Sequence, residues 1–212
     1  MKTILWDWNG TLLDDVWLGL EAMNVLLKRY NKPLLRDLTH YREVFCFPVS
    51  EYYDKLGIGG DMFAVTGQEW MNEYYAREEQ CTLRTGAMEA LSAFRAAGCR
   101  QVVLSASKRD NLLAQMARYA GVREHFDAVL GLDHIYATSK VAIGQGWMQE
   151  NGVSPADCVM IGDTLHDAEV AQALHCRCIL VADGHQTRET LKSAGVTVAD
   201  NLSHAVKIIL EA

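Results

Sequence analysis

A chain of 212 residues, half of them hydrophobic and 22% charged, is long enough to bury a full core and has the balance of a globular protein. Its formal charge of −7, with no run of Lys and Arg, argues against a nucleic-acid surface, and no apolar run approaches the length of a membrane span. Polar and acidic residues arrive too soon after Met1 for a secretory signal core. The six cysteines lack metal-ligand or disulfide spacing, so reduced thiols and a cytoplasmic setting are expected.

Residues 2–6 are a short apolar run that empties at Asp7 into a turn carrying Gly10 and Thr11, the pattern of a buried strand feeding a loop. Val16, Leu20, Met23, Leu27 and Tyr30 then fall on one face of a helix. From residue 15 to residue 82 no buried strand is readable. Broken helical patterns around 35–45, 49–56 and 62–76, punctuated by Pro33 and Pro48, predict a helical insert. After it the pattern becomes regular. A helix with Met88, Leu91 and Phe94 stops at Gly98, where a left-handed residue is needed. A strand at 101–104 ends on Ser105, and a helix with Leu112, Leu113 and Met116 closes near Gly121. A strand at 126–130, a helix at 141–150, a strand at 158–161, a helix at 167–174, a strand at 177–181 and two short helices complete the chain. Five strands alternating with helices predict a doubly wound, Rossmann-like α/β domain with a parallel sheet, formed by residues 1–14 and 83–212.

Parallel sheets of this kind bind ligands beyond the carboxyl ends of their strands. Those ends carry Asp7 and Asn9, Ser105, Lys140 before the next helix, and the segment Gly162-Asp163-Thr164-Leu165-His166-Asp167. Two aspartates four residues apart at a helix start can offer oxygens to one hard cation, and magnesium favours one or two carboxylates with water and phosphate oxygens. A carboxylate beside that cation, such as Asp7, is able to attack phosphorus. Ser105 and Lys140 would then supply a hydrogen bond and a compact charge to the phosphoryl oxygens. Singly, each residue has a commoner explanation, since a strand-end aspartate usually caps a helix or solvates a turn. The ordered combination is much less expected by chance.

The ordered set Asp7-Trp8-Asn9-Gly10-Thr11, Val102-Val103-Leu104-Ser105, Lys140 and Gly162 to Asp167 resembles the four motifs of the haloacid dehalogenase-like hydrolase superfamily. It is similar to the members with a helical cap after the first motif, which include phosphoglycolate phosphatases. The resemblance implies a magnesium-dependent hydrolase of a small phosphorylated metabolite. Asp7 would be the nucleophile forming an aspartyl phosphate, and Ser105 and Lys140 would position phosphate. Asp7, Asp163, Asp167 and the backbone carbonyl of Asn9 would form the Mg2+ site.

The chain departs from that pattern at Asn9, where phosphatases of the family carry an acid/base aspartate. An amide cannot exchange a proton near neutral pH, and such assistance contributes about 10²- to 10⁴-fold in rate. Three outcomes follow: slow turnover, a leaving group that needs no proton, or another proton carrier, with His166 nearest in sequence. A solvated helix-start histidine is the preferred reading of His166, and helix capping that of Asp14 and Asp15. If the Asn9 side chain faces substrate, Asn9→Asp is expected to restore the missing acid. Carbon–halogen or phosphonate hydrolysis is a second enzyme reading, the latter needing a cap lysine such as Lys28, Lys32 or Lys55. A third is a phosphate-binding module whose catalysis lapsed with Asn9. Gly57-Ile58-Gly59-Gly60 lacks a dinucleotide fingerprint and reads as a cap loop. Trp6, Trp8, Tyr52, Tyr53, Trp70, Tyr74 and Tyr75 are candidates to line a substrate pocket, with packing the preferred reading of the cap aromatics and core that of Trp6.

Overall fold

β1 (Thr3–Trp6) is wholly buried, and it occupies the middle of the main sheet. The computed structural model describes residues 1–133 and 139–211. After β1 come β2 (Leu13–Asp14), α1 (Val16–Arg29), α2 (Leu38–Val44), α3 (Val49–Lys55), α4 (Phe63–Tyr75) and β3 (Thr82–Leu83). β2 and β3 pair antiparallel, Leu13 opposite Leu83 and Asp14 opposite Thr82, so the chain leaves and re-enters the α/β unit side by side. The remainder is α5 (Ala87–Ala96), β4 (Arg100–Lys108), α6 (Arg109–Met116), β5 (Ala128–Leu132), α7 (Val141–Glu150), β6 (Cys158–Gly162), α8 (Leu165–Ala173), β7 (Arg177–Val181), α9 (Arg188–Lys192), β8 (Thr197–Ala199) and α10 (Leu202–Leu210).

The main sheet runs β5-β4-β1-β6-β7-β8, with every neighbouring pair parallel. It has six strands where the sequence predicts five. The addition is β8, a three-residue edge strand that pairs Val198 with Leu180 of β7. A segment of that length is too short to show a strand period, and its backbone is held by one neighbour only. β4 also runs past Ser105 to Lys108, through a shift of register between Leu104 and Lys108.

Alternation along the strands builds two cores. Ile4 and Trp6 of β1 pack with Val103, Ile161 and Ile179 against Leu91 and Phe94 of α5 and Ile209 of α10. Leu5 turns to the other face, joining Leu104, Met160 and Leu180 against Met148 of α7 and Val170 of α8. Each fully buried side chain of this size contributes about 1.5–3 kcal/mol of apolar transfer. The helical cap between β2 and β3 has an apolar cluster of its own, with Met23, Leu26 and Leu27 of α1 against Tyr41, Tyr52 and Ile58.

The strand order fixes where a ligand can sit. From β1 the chain goes to β4 and β5 on one side, and later to β6, β7 and β8 on the other. The crevice of such a sheet opens at this reversal, beyond the carboxyl end of β1. Asp7 is the first residue past that end.

Candidate active site

Asp7 continues the ladder of β1, donating its N–H to the carbonyl of Ile161 at 2.9 Å. β6 is the next strand, so Asp163 follows it into the same crevice despite the separation in sequence. Asp7, Asp163 and Asp167 present carboxylate oxygens within 4.8 Å of one another. Lys140, at the start of α7 and 1% exposed, donates to Asp7 Oδ1 at 2.5 Å and to Asp167 Oδ1 at 2.7 Å.

The loops hold these carboxylates by backbone and hydroxyl donors. Thr11 Oγ1 donates to Asp163 Oδ1 at 2.9 Å, and the His185 N–H to Asp163 Oδ2 at 2.6 Å. Asp167 Oδ2 accepts from the Asp163 and Thr164 backbones at 3.2 and 3.0 Å and from the Thr164 hydroxyl at 2.7 Å. That arrangement is a capping box closing the first turn of α8. Gly10 adopts φ +72°, and a Cβ there would lie 2.4 Å from Asp163 Oδ2, so only glycine lets the first loop approach this closely.

Burial pushes the Asp7 carboxyl up to about 8, with Lys140 pulling against it. Asp163 is likewise raised by burial, although His185 opposes the shift. For Asp167 burial acts upward too, but Lys140 and Thr164 prevail and hold it below the usual carboxylate range. Burial disfavours the Lys140 charge, yet Asp167 and Asp7 outweigh it and keep the amine protonated. Three carboxyl groups share one ammonium, and the donor atoms they offer are all oxygen. Such a set fits a hard divalent cation.

Ser105 is buried at the rim of the crevice, and its Oγ accepts from the Ser107 N–H at 3.1 Å. Asn9 also lines the crevice, but its side chain is committed to protein partners. Its Nδ2 donates to Asp15 Oδ2 at 2.7 Å and to the Tyr74 hydroxyl at 3.1 Å, and its Oδ1 accepts from Ser107 Oγ at 2.8 Å. Asp15 was expected to cap α1; it stands at the cap position without a side-chain cap bond. Instead it is 2% exposed, accepting from the Gly10 N–H at 2.7 Å and from Tyr74 at 2.7 Å. The His185 imidazole lies 3.6 Å from Asp15 Oδ1 and 2.8 Å from the Tyr41 hydroxyl. Burial raises the Asp15 carboxyl, but His185, Tyr74 and Asn9 overcome it and hold it low. Burial likewise disfavours the His185 cation, which Asp15 more than restores.

His166 differs from its expected solvated state. Its side chain is 12% exposed, its ring stacks on Phe47 at 4.6 Å, and its Nε2 is buried without a partner. Burial and the charge of Lys140 lower its pKa, favouring neutral imidazole. His185 and Tyr41 were absent from the expected site, and Tyr74 was expected as cap packing before recognition. His185 follows β7 by four residues, so the strand-end rule that selects Asp7 and Asp163 would have found it. The two tyrosines, on cap helices, carry no comparable signal.

A cavity of about 190 Å³ joins this cluster to the cap. Tyr52, Tyr53, Trp70, Tyr74 and Tyr75 all line it, whereas Trp6 is core as expected and Trp8, a candidate for the pocket, is sealed in the core instead, its Nε1 donating to Gln115. Lys28, Lys32 and Lys55 do not reach its wall among the described residues. No helix among the described residues is long and apolar enough to cross a membrane.

A model of the haloacid dehalogenase-like hydrolases matches residues 1–175. A phosphoglycolate phosphatase of Chromobacterium violaceum is 28% identical over 211 residues, covering 93% of this chain and 92% of its own. One from Nitrosospira multiformis is 24% identical over 220 residues, covering 99% and 96%. The crystal structure of a predicted phosphatase from Clostridium acetobutylicum superimposes with a TM-score of 0.85 at 20% identity, over 100% of this chain and 99% of that one.

Proposed function

The chain belongs to the haloacid dehalogenase-like hydrolase family and is a phosphatase-type hydrolase, and we propose that it hydrolyses a small phosphorylated metabolite with magnesium through an aspartyl phosphate on Asp7. The observation that carries this reading is the contact of Asp7 with Lys140 inside the three-carboxylate cluster at the end of β1. Asp7, Asp163, Asp167 and the Asn9 carbonyl would hold magnesium, which when bound supplies positive charge to the phosphoryl oxygens. Lys140 and Ser105 orient those oxygens. An Asp7 oxygen attacks phosphorus, the bond from phosphorus to the ester oxygen breaks, and its electron pair leaves with the alcohol oxygen. Water then attacks the same phosphorus and returns Asp7 to its carboxylate. Residues 1–14 and 83–212 form the catalytic unit in this reading, residues 15–82 the cap, and the cytoplasm is its setting.

The other readings have less support. A Schiff-base phosphonate hydrolase needs a lysine in the cavity from the cap, and Lys28, Lys32 and Lys55 lie elsewhere. A dehalogenase has no use for the acidic cluster, and a lapsed module has no need of the Asp7–Lys140 contact. Phosphate release from esters, acyl phosphates and phosphonates, with and without magnesium, tests the proposal. Magnesium-dependent release that vanishes in Asp7→Asn is expected. Undiminished release by that variant would remove Asp7 from its role.

A further inference from the structure

The cap side of the cavity is an apolar, largely aromatic wall. Phe45, Phe47, Tyr53, Phe63, Trp70 and Met71 face it. The rings brace one another edge to face, Phe45 against Phe47 at 5.6 Å and Tyr53 against Phe63 at 5.1 Å. His166 lies flat on Phe47 from the core side. Phe47 and Met71 are half-buried and belong to none of the packed core clusters, so part of their apolar surface is turned to the cavity.

Positive charge is scarce on this wall. Among the described residues the lining includes no arginine, its lysines are Lys140 and Lys108, and its His185 is taken up by Asp15 at 3.6 Å. Lys140 is committed to Asp7 and Asp167. Lys108 is 38% exposed at the end of β4, with Asp110 at 4.0 Å. A carboxylate on the departing group, as in phosphoglycolate, would meet a largely aromatic wall with no dedicated cation, and burying an unpaired charge is costly.

A second observation concerns the leaving group's proton. Asn9 lines the cavity beside Asp7 as an amide, and its amide hydrogens are spent on Asp15 and Tyr74. A departing alkoxide therefore receives no proton from this position. A phenol, with a pKa near tyrosine's at about 10, departs as its anion far more readily than an alkyl alcohol does. The pocket and the spent Asn9 amide point to the same chemistry.

We propose that the substrate is a phosphate monoester of an uncharged, flat, aryl-type alcohol, whose ring seats against Phe47, Phe63 and Met71. This rests on the phosphatase reading above and narrows it. The phosphorus–oxygen bond breaks with its electron pair on the aryl oxygen, and that oxide takes a proton from water.

The test compares 1-naphthyl phosphate, 4-carboxyphenyl phosphate and phosphoglycolate in the full chain with magnesium. The first two release phenols, so they separate pocket polarity from leaving-group chemistry. A kcat/KM for naphthyl phosphate roughly 10²-fold above the carboxyphenyl ester is expected, the discrimination a buried apolar ring provides. Met71→Lys, outside the packed clusters, should narrow that ratio at least about tenfold by supplying the missing cation. Carboxyphenyl phosphate used as well as naphthyl phosphate would overturn the proposal. So would a preference for phosphoglycolate that disappears in Lys108→Met. If no ester releases phosphate, the phosphatase reading fails separately, and 1-naphthylmethylphosphonate still probes the pocket. Quenching of tryptophan fluorescence by that phosphonate, weakened in Met71→Lys, would uphold the apolar pocket; absence of binding would overturn it.

Discussion

Asn9 and Asp15 are joined by a 2.7 Å hydrogen bond in which the amide of Asn9 donates to a buried carboxylate. The carboxyl group that the first motif lacks at position 9 is therefore present six residues later, held by Tyr74, the Gly10 amide and Asn9 itself. An aspartate at position 9 would face Asp15 across the same short distance, and one of the two would have to take a proton. Asn9→Asp is therefore expected to fail as a simple restoration. It should cost about 1–3 kcal/mol in stability, the penalty of leaving a buried polar group unsatisfied, and lower activity on every ester. The double variant Asn9→Asp with Asp15→Asn exchanges donor and acceptor and should recover most of that loss. Thermal denaturation and kcat across the four proteins of the cycle give the coupling. A single Asn9→Asp protein as stable and active as the parent would show that the two side chains are not coupled.

Much of this arrangement is legible in the sequence because strand ends and turn residues carry it. Asp7, Lys140, Asp163 and Asp167 are found where the α/β pattern places them, since each is fixed by a neighbouring strand or helix start. Asp15 illustrates the limit. Its position before α1 is the place for a cap, and nothing local shows that Tyr74, fifty-nine residues onward, takes its second oxygen. His166 misleads for the same reason: the side chain that covers it is Phe47, from the cap. β8 escapes because three residues held by one neighbour show no period. Contacts between cap and core are set by packing of two units, and no short stretch of chain encodes them.

The crowding of Asp7 predicts a link between pH and magnesium. Its carboxyl lies at about 8 in the folded protein against an ordinary value of 3.8. Between those values the metal-free fold keeps a proton that the unfolded chain has lost, so stability falls as pH rises through that window. The raised Asp163 and the raised His185 act in the same direction, whereas the lowered Asp15 and Asp167 act only at more acid pH. A divalent cation takes the proton's place. At one fixed magnesium concentration the rise in Tm should therefore be larger at pH 8 than at pH 5.5, the stabilisation being about 2.7 kcal/mol wherever that concentration is a hundredfold above Kd. In Asp7→Asn the pH dependence of that rise should flatten. An equal rise at both pH values would mean that no proton is displaced.

Asp163, in the loop before α8, and Asp167, in the first turn of α8, are built in differently, and their amide variants should separate. Each Asp163 oxygen accepts one protein donor, from Thr11 and from the His185 backbone. Lone pairs remain for a cation. Asp167 Oδ2 is filled by three donors, and its Oδ1 is shared with Lys140. Asp163→Asn is therefore expected to raise the magnesium concentration for half-maximal activity by at least about tenfold, since it removes a charged ligand while leaving Lys140 in place. Asp167→Asn instead removes one of the two anions that fix the Lys140 ammonium and leaves a single oxygen to serve either Lys140 or the capping box. It should lower Tm, at a cost of about 1.5–3 kcal/mol for hydrogen bonds to a charged group, and lower kcat at saturating magnesium. Magnesium titrations of kcat, with melting curves of both variants, check the split. If Asp167→Asn shifts the magnesium midpoint as far as Asp163→Asn and leaves kcat at saturation untouched, Asp167 acts on the cation first and on Lys140 second.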